Sequence, residues 1–459
     1  MIPMGVELMP AMRRSLLRAA GQASPSCRAW PMRRSLLVAL TGMAVVTRTG
    51  SGGLRLARRV PPMADPPRWD WKDEHRGILP RDIARKFRLQ LGIKLSVATA
   101  TATSIMLAAQ PVARAQSVPR TTIPDALACE TCSIRVLLRQ TIADQTGPGI
   151  IDEPRGIARD SSGRLFLSFP RFPGEIKVYD PEGKYLRHLT RPGSGPGEAL
   201  GAPRVHITRG DTIRVFDQRN TRYSVFSPDF RFVRDSPFRL PYFAAVPLDS
   251  TLMIVAAPRF AAGGVQLLHS IDLDGNTVAS TTASGIQATA AEPYLLWRHL
   301  AREDDRNVWA VTQYGYALEL WNVTTGLQRE IRRNPEWYTP GGPDAVRNWQ
   351  PGVTPPPAAI SSIHRDAQGR LWVVAGVAKK DWRRAYERDT APGFLMWDAV
   401  LELIDPANNV VIARERMPHY PVTLLGNELV TYGEDASGNP TIRFWSIRLD
   451  DVKSKGGTR

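Results

Sequence analysis

The sequence is poor in the residues that most often carry chemistry. It has three cysteines and seven histidines in 459 residues, and the histidines are scattered along the chain. The absence of a G-x-S-x-G elbow removes sequence support for a serine hydrolase. A single C-x-x-C pair, Cys129 and Cys132, offers too few ligands for structural zinc, and Ser133 stands where haem attachment needs histidine. We expect this pair to form a disulfide or to remain as two thiols.

Most of the chain also lacks an excess of charge. The formal net charge is +16, but residues 1–120 hold 20 Lys and Arg against 6 Asp and Glu, whereas the remaining residues hold 40 against 38. A nucleic-acid-binding domain needs its positive charge on the folded surface. The near-neutral body therefore disfavours a nucleic-acid partner.

The basic leader contains a segment typical of export. Residues 85–115 have a basic start, an apolar run from about Leu91 to Ala109, and the small residues Ala113 and Ala115 around Arg114. This order predicts a signal peptide cleaved after Ala115, with a transmembrane anchor as the alternative. Residues 1–84 are expected to be disordered or to precede the true translation start. We expect a periplasmic or extracellular protein without membrane attachment after cleavage.

A hairpin and a strand recur along the rest of the chain. The hairpin has alternating apolar residues around a polar turn, and its five copies begin at Val178, Val225, Ser270, Leu320 and Leu403. The strand follows a polar turn of its own, and its six copies begin at Leu165, Ile213, Leu252, Val308, Leu371 and Leu429. Their spacing of 39 to 63 residues is too irregular for a WD40 array, but four short strands per repeat suit a propeller blade.

The sixth unit ends before its outer strand can form. Residues 132–144 carry Ile134, Val136 and Leu138 in period two and could supply that strand, which would leave no exposed sheet edge at either chain end. We therefore predict an all-β fold, a six-bladed β-propeller over residues 132–450 that is closed by this N-terminal strand. Residues 116–131 are expected to be a linker and residues 451–459 a disordered tail.

The stretch "RPGSGPGEALGAPR", residues 191–204, is glycine-rich like a phosphate-binding loop. A phosphate loop leads into a helix, whose N–H groups face the anion, but a strand pattern follows here. The glycines therefore indicate a turn that carries the chain from the rim of one blade to the centre of the next.

The same stretch resembles the start of an NHL-type repeat. The resemblance is carried by Gly-x-Gly-Pro-Gly-Glu from Gly193, by Pro203, and by Asp217, Asn220 and Arg222 before a strand at Val225. The region from Cys132 to Leu449 is similar to exported bacterial six-bladed β-propeller proteins of the NHL/TolB-like group. This resemblance implies a fold and a compartment, whereas propellers host binding modules, scaffolds and enzymes alike.

Two insertions interrupt the repeat and are the candidate binding regions. Residues 334–359 contain Trp337, Tyr338 and Trp349, and residues 376–397 contain Trp382 and Arg383. Aromatic and cationic side chains on long loops are typical of ligand and partner surfaces, although these residues could instead plug the channel mouth. The predicted function is a non-catalytic module that binds an unknown protein or small molecule on one propeller face, without a cofactor.

The alternative is a metal-dependent lactonase or lyase of the gluconolactonase-like propeller type. That resemblance implies Glu, Asn and Asp ligands for a divalent cation in the central channel, a requirement of hard cations for several oxygen donors. The candidates are Glu153, Asp217 and Asn307, but each also fits a turn or a structural repeat position. We therefore predict no metal site.

Overall fold

The computed structural model describes residues 118–249, 251–261, 264–283, 292–339, 341–387 and 396–451. The predicted signal peptide and the extension before it, together with residues 452–459 of the predicted tail, lie outside the described residues. No helix within these ranges is long and apolar enough to cross a membrane.

The described strands form six sheets that each contain a four-stranded antiparallel blade. From the innermost strand outwards, blade 1 contains β3 (Gly156–Arg159), β4 (Leu165–Ser168), β5 (Ile176–Tyr179) and β6 (Tyr185–Thr190). Blade 2 contains β7 (Arg204–Thr208), β8 (Thr212–Asp217), β9 (Arg222–Phe226) and β10 (Phe232–Pro237). Blade 3 contains β11 (Ala244–Pro247), β12 (Met253–Ala261), β13 (Gly264–Ile271) and β14 (Thr277–Ala283).

The other three blades follow the same order. Blade 4 contains β15 (Arg298–Arg302), β16 (Asn307–Thr312), β17 (Ala317–Asn322) and β18 (Gly326–Arg332). Blade 5 contains β19 (Ala359–Arg365), β20 (Leu371–Ala378), β21 (Trp397–Asp405) and β22 (Val410–Met417). Blade 6 contains β23 (Tyr420–Leu425), β24 (Glu428–Glu434), β25 (Pro440–Asp451) and, as its outermost strand, β2 (Cys132–Ile142). The predicted six-bladed propeller is confirmed.

Aspartate-led turns join many of the strands, as the sequence pattern predicts. Asp160 accepts a hydrogen bond from the Arg164 backbone N–H at 2.9 Å, and Asp366 accepts the equivalent bond from Arg370 at 2.9 Å. In each pair the arginine Nε also donates to the same carboxylate. The turn side chain thus satisfies backbone donors that the strands leave unpaired.

Six separate apolar clusters lie between neighbouring blades, one at each junction. The second strand of each blade is buried on both faces, as Leu165 and Phe166 of β4 show by packing in different clusters. One of the six clusters joins Val430 of blade 6 to Leu165 of blade 1. The ring is therefore closed by side-chain packing as well as by strand pairing.

The closing strand pairs as predicted but not with the predicted alternation. β2 is antiparallel to β25, from Cys132 opposite Asp451 to Ile142 opposite Ile442. Ile134 and Ile142 are buried, but Leu138 is 50% exposed. Leu138 lies in unbroken register with Ile134 and Val136 but remains exposed. The bulge after Leu138 instead reverses the faces of the residues that follow it, so Ile142 packs in the cluster with blade 1 whereas Ile134 packs in the cluster with blade 5.

Residues 118–131, which we call the N-terminal strap, are more than a linker. Their strand β1 (Arg120–Thr122) pairs in parallel with β18 at the rim of blade 4, and Ala128 N–H donates to Val411 O of blade 5 at 2.7 Å. Cys129 and Cys132 form a disulfide, the first of the two predicted alternatives. The strap thus runs across blades 4 and 5 before the chain enters the closing strand of blade 6.

The glycine-rich loop connects β6 to β7, which confirms the prediction of a turn from rim to centre. Gly193, Gly197 and Gly201 adopt positive φ angles. Buried Asp217 of the next blade accepts a hydrogen bond from Leu200 N–H at 2.7 Å, and the Asn220 side chain donates to Gly193 O at 3.0 Å. The residues that carry the NHL-type resemblance therefore tie the loop to blade 2.

We expect Asp217→Ala to lower the free energy of unfolding by about 2 to 4 kcal/mol, because it leaves buried backbone donors unpaired. Asp235→Ala is the control, since that partly buried carboxylate pairs with Arg222 at 3.3 Å, and its loss is expected to be about 1 kcal/mol or less. Urea unfolding measures both values. Equal losses in the two variants would contradict a special role for Asp217.

Candidate functional site

A cavity of about 690 Å³ lies at the centre of the ring. Each blade contributes residues of its innermost strand to the lining, among them Gly156, Val205, Ala244, Leu300, Ala359 and Thr423. Cavities of this size with mixed apolar and polar walls are typical of small-molecule sites. We call the end at which the innermost strands begin the channel mouth.

A carboxyl and a phenol lie together in the wall of the channel mouth. Glu153 precedes blade 1 and forms a hydrogen bond with the hydroxyl of Tyr420, at the start of blade 6. Burial raises the pKa of Glu153, and the Asp152 carboxylate adds to the increase. Burial and then the charge of Glu153 raise the pKa of Tyr420. The site thus has a carboxyl group that is easier to protonate than a surface glutamate.

β7 places a cation and a neutral histidine in the cavity. Arg204 and His206 lie two residues apart on one strand, and both line the cavity. The Val205 side chain between them also packs in the apolar cluster between blades 1 and 2. His206 Nε2 lies 2.9 Å from the Tyr242 hydroxyl. Burial lowers the pKa of His206 to about 3, and the positive charges of Arg204 and Arg214 contribute.

The start of β15 adds a second histidine and an aromatic stack. The Trp297 ring lies parallel to Phe243, with centroids 5.0 Å apart, and His299 meets Phe243 edge-on at 4.9 Å. Burial lowers the pKa of His299 to about 3, with a further contribution from Arg204. The intervening Arg298 points away and forms a two-bond ion pair with Glu319.

The five predicted binding residues do not line the cavity. Trp337 packs against Tyr316 between blades 4 and 5, and the hydroxyl of buried Tyr338 donates to Gln313 O at 3.1 Å. Gln313 does line the cavity. Tyr338 therefore holds one part of the channel wall in place from behind.

Trp349, Trp382 and Arg383 lie on the insertions at the same end of the ring as the channel mouth. Trp349 is half-buried after helix α1 (Gly342–Arg347), whereas Trp382 and Arg383 begin helix α2 (Trp382–Glu387). Arg383 donates to Val353 O at 3.0 Å, which joins the two insertions. The binding role of all five residues stays a prediction.

The three candidate metal ligands are not brought together. Glu153 lines the cavity, but Asp217 is bonded within the blade 1 to blade 2 connection, and Asn307 bonds Asp304 and Asn322 within blade 4. Across the described ranges, no three His, Cys, Asp or Glu residues lie close enough together to hold a metal ion.

Sequence reasoning missed Arg204, His206, Trp297 and His299. Their motifs, "RVH" and "WRH", place two polar or aromatic residues in period two at the start of the first strand of a blade. The strand motif that recurs in the sequence is the second strand of each blade. The signal was therefore present one strand earlier.

We expect His206 and His299 to make the folded protein less stable in mild acid. The pKa of His206 is about 3 in the folded protein against its ordinary value of 6.5, so below pH 6.5 the unfolded chain binds a proton that the folded chain does not. Stability falls as the pH falls, by about 1 kcal/mol between pH 6.5 and 5.5 for each such histidine. Urea unfolding at both values should show that His206→Gln loses about 1 kcal/mol less than wild type. An equal loss in wild type and His206→Gln would mean that His206 binds a proton as readily in the folded protein as in the unfolded chain.

Comparison with known proteins gives structural neighbours without a family. No protein-family model matches the chain, and no curated protein matches it significantly. A member of the DUF4221 family from Bacteroides vulgatus is 11% identical with a TM-score of 0.50, over 70% of this chain and 99% of its own. A protein named as exported, from Bacteroides fragilis, is 11% identical with a TM-score of 0.46, over 72% and 100%.

A third neighbour is an enzyme. Virginiamycin B lyase from Staphylococcus aureus is 10% identical with a TM-score of 0.39, over 68% of this chain and 99% of its own. The shared property is the propeller fold. At such identities a common fold carries no common chemistry.

Proposed function

We propose that the protein is an exported six-bladed propeller that binds a small molecule at its channel mouth. The observation that carries this proposal is the cavity of about 690 Å³ lined by all six blades. A rigid ring with a cavity of this size can bury most of a small ligand. The shifted pKa values of Glu153, His206 and His299 support the same location, because such shifts cluster at functional sites.

Two features support export. The sequence order of residues 85–115 is typical of a signal peptide, and the Cys129–Cys132 disulfide suits an oxidising compartment outside the cytosol. The NHL/TolB-like resemblance of the chain agrees with both.

The insertions form the outer part of the proposed site. Arg383 is exposed and Trp382 half-buried on α2, at the end of the ring where the innermost strands begin. We propose that they contact the part of a ligand or protein partner that projects from the channel. Trp337 and Tyr338 would then support the wall, and Trp349 the loop between them.

A second candidate function is acid–base catalysis. It is favoured by one observation, the coexistence of a carboxyl group with a raised pKa and two neutral histidines in one cavity. A carboxyl group with a raised pKa can act as a general acid or base closer to neutral pH than a surface glutamate, and neutral histidines can hydrogen-bond to the reacting groups. Turnover of a bound compound by wild type and its loss in Glu153→Gln would select this function, and a stoichiometric divalent ion removed by chelator would select the metal-dependent version.

The binding proposal is tested with a library of small polar compounds and three variants. Ala359→Trp places an indole in the cavity lining, whereas Trp382→Ala and Arg383→Ala change only the insertion. We expect compounds that raise the unfolding temperature of wild type to lose their effect in Ala359→Trp. Compounds that act equally on wild type and Ala359→Trp but not on the insertion variants would move the site to the insertions.

A further inference from the structure

Arg204 is held in a fixed orientation at the channel mouth. Its guanidinium carbon lies 5.4 Å from the ring centroid of Phe243 and 5.8 Å from that of Tyr242. Phe243 is in turn stacked on Trp297. A guanidinium resting on stacked rings is pre-oriented, and little entropy is lost when it binds a planar or tetrahedral oxyanion.

Two of the three arginines that are buried in the described ranges have carboxylate partners, and the third, Arg214, donates to the hydroxyls of Thr208 and Tyr223. Arg298 pairs with Glu319 at 2.8 Å, and Arg333 pairs with Glu402 at 2.6 Å. Among the described residues, by contrast, no Asp or Glu pairs with Arg204, and the charged neighbour that acts on it is another cation, Arg155. Burial and this repulsion lower the pKa of Arg204. A desolvated cation without a counterion is unfavourable, and a bound anion would relieve it.

The remaining charges of the cavity leave this position free for an anion. Glu153 is the carboxyl of the lining, and its bond goes to Tyr420 rather than to Arg204. His206 and His299 stay neutral near pH 7 and so add polar groups without adding charge. The site therefore combines two cations, one carboxyl group whose pKa is raised by burial and partly lowered again by the charge of Arg155, neutral hydrogen-bonding groups and aromatic walls.

We propose that the channel mouth binds a small organic oxyanion, a carboxylate or a phosphate ester, whose charged group contacts Arg204 and whose organic part lies in the cavity beside the Phe243–Trp297 stack. Arg155 supplies the second positive charge. This inference rests on the proposed function and names the chemical class of its ligand. Arg204 is the residue that selects the class.

The test uses benzoate, phenyl phosphate and the neutral benzamide as probes of the full-length protein. Titration calorimetry should detect one or both anions and not benzamide, and the comparison of the two anions distinguishes carboxylate from phosphate. Arg204→Gln should weaken anion binding by about 10- to 100-fold, the usual effect of losing hydrogen bonds to a charged group. Arg204→Lys should retain part of the anion affinity. Arg139→Gln makes the same charge change at an exposed rim position and should bind anions as wild type does.

A second readout separates binding from structural support. Without probe, Arg204→Gln should unfold at the same or a higher temperature than wild type, because it removes a cation that lacks a counterion. A lower unfolding temperature together with unchanged anion affinity would overturn the proposal and make Arg204 a structural residue.

The outcomes also distinguish this inference from the proposed function. If benzamide or other neutral compounds bind wild type, lose binding in Ala359→Trp and are unaffected by Arg204→Gln, the channel is a binding site but not for anions. If neither anions nor neutral compounds lose binding in Ala359→Trp, both proposals fail.

Discussion

We expect that a chain that begins at Asp144 will not fold cooperatively, whereas one that begins at Val118 will. The shorter chain lacks β2, so blade 6 keeps three strands and β25 becomes an exposed edge. It also loses three buried isoleucines, Ile123, Ile134 and Ile142. At about 1.5 to 3 kcal/mol for each buried side chain, their loss removes about 5 to 9 kcal/mol, comparable to the whole stability of a typical domain.

Urea unfolding and size-exclusion chromatography compare the two chains. We expect a single sharp transition for the longer chain and aggregation or a broad transition for the shorter one, because an unpaired edge strand recruits other chains. A monomeric short chain with an equally sharp transition would show that the ring does not need the N-terminal strand.

Glu402→Gln is expected to cost about 3 to 5 kcal/mol of folding free energy, the second largest effect. Glu402 is fully buried, accepts hydrogen bonds from Arg333 at 2.6 Å and from Arg414 at 2.8 Å, and also bonds the Tyr316 hydroxyl. Removing its charge leaves the buried Arg333 without its main partner. Arg333 also donates to Pro124 O at 2.7 Å, so the same change loosens the N-terminal strap.

The matched control for this substitution is Glu182→Gln in the exposed hairpin turn of blade 1, where we expect a change within about 0.5 kcal/mol. Denaturant unfolding gives both values. The double variant Arg333→Met, Glu402→Leu should lose less folding free energy than the sum of the losses in Arg333→Met alone and Glu402→Leu alone. The reason is that no unpaired charge remains in the double variant. Additive losses would mean that Arg333 and Glu402 act independently.

The blade count and the strand order could be predicted because they rest on local turn chemistry. Asp160, Asp272 and Asp366 each satisfy backbone donors within four residues, so their effect is visible in a short sequence window. The closing strand was predictable for a related reason, since a missing outer strand at one end of a repeat must be supplied by the other end. The bulge at Arg139 was not, because register shifts depend on how β2 meets β25.

The candidate site could not be predicted because it exists only after the ring closes. Glu153 and Tyr420 are 267 positions apart in the sequence, and Arg204 and His299 belong to different blades. The position of Tyr338 and Trp337 on a long insertion suggested that both side chains are exposed, but they pack between blades. The aromatic insertions predicted a binding surface, whereas the cavity is lined by the first residues of the innermost strands.

The N-terminal strap left no recognisable pattern either. β1 is three residues long and pairs through its backbone, which places little demand on its side chains. The ion cluster of Arg333, Glu402 and Asp125 joins segments that are far apart in sequence. Such partners become visible only in three dimensions.

The cavity and every contact proposed for it depend on the closure of the ring by β2. Cysteine cross-linking tests this closure most directly, in the chain that begins at Val118. Arg135 and Arg448 are exposed and lie directly opposite each other on β2 and β25, within the reach of a disulfide. Arg135→Cys with Arg443→Cys is the control, because Arg443 lies opposite Thr141, roughly 20 Å away along the strand.

Peptide mapping by mass spectrometry after mild oxidation should find a link between residues 135 and 448 within one chain. The control pair should remain as thiols. A link in the control but not in the directly opposed pair, or links only between chains, would contradict a ring closed by the N-terminal strand.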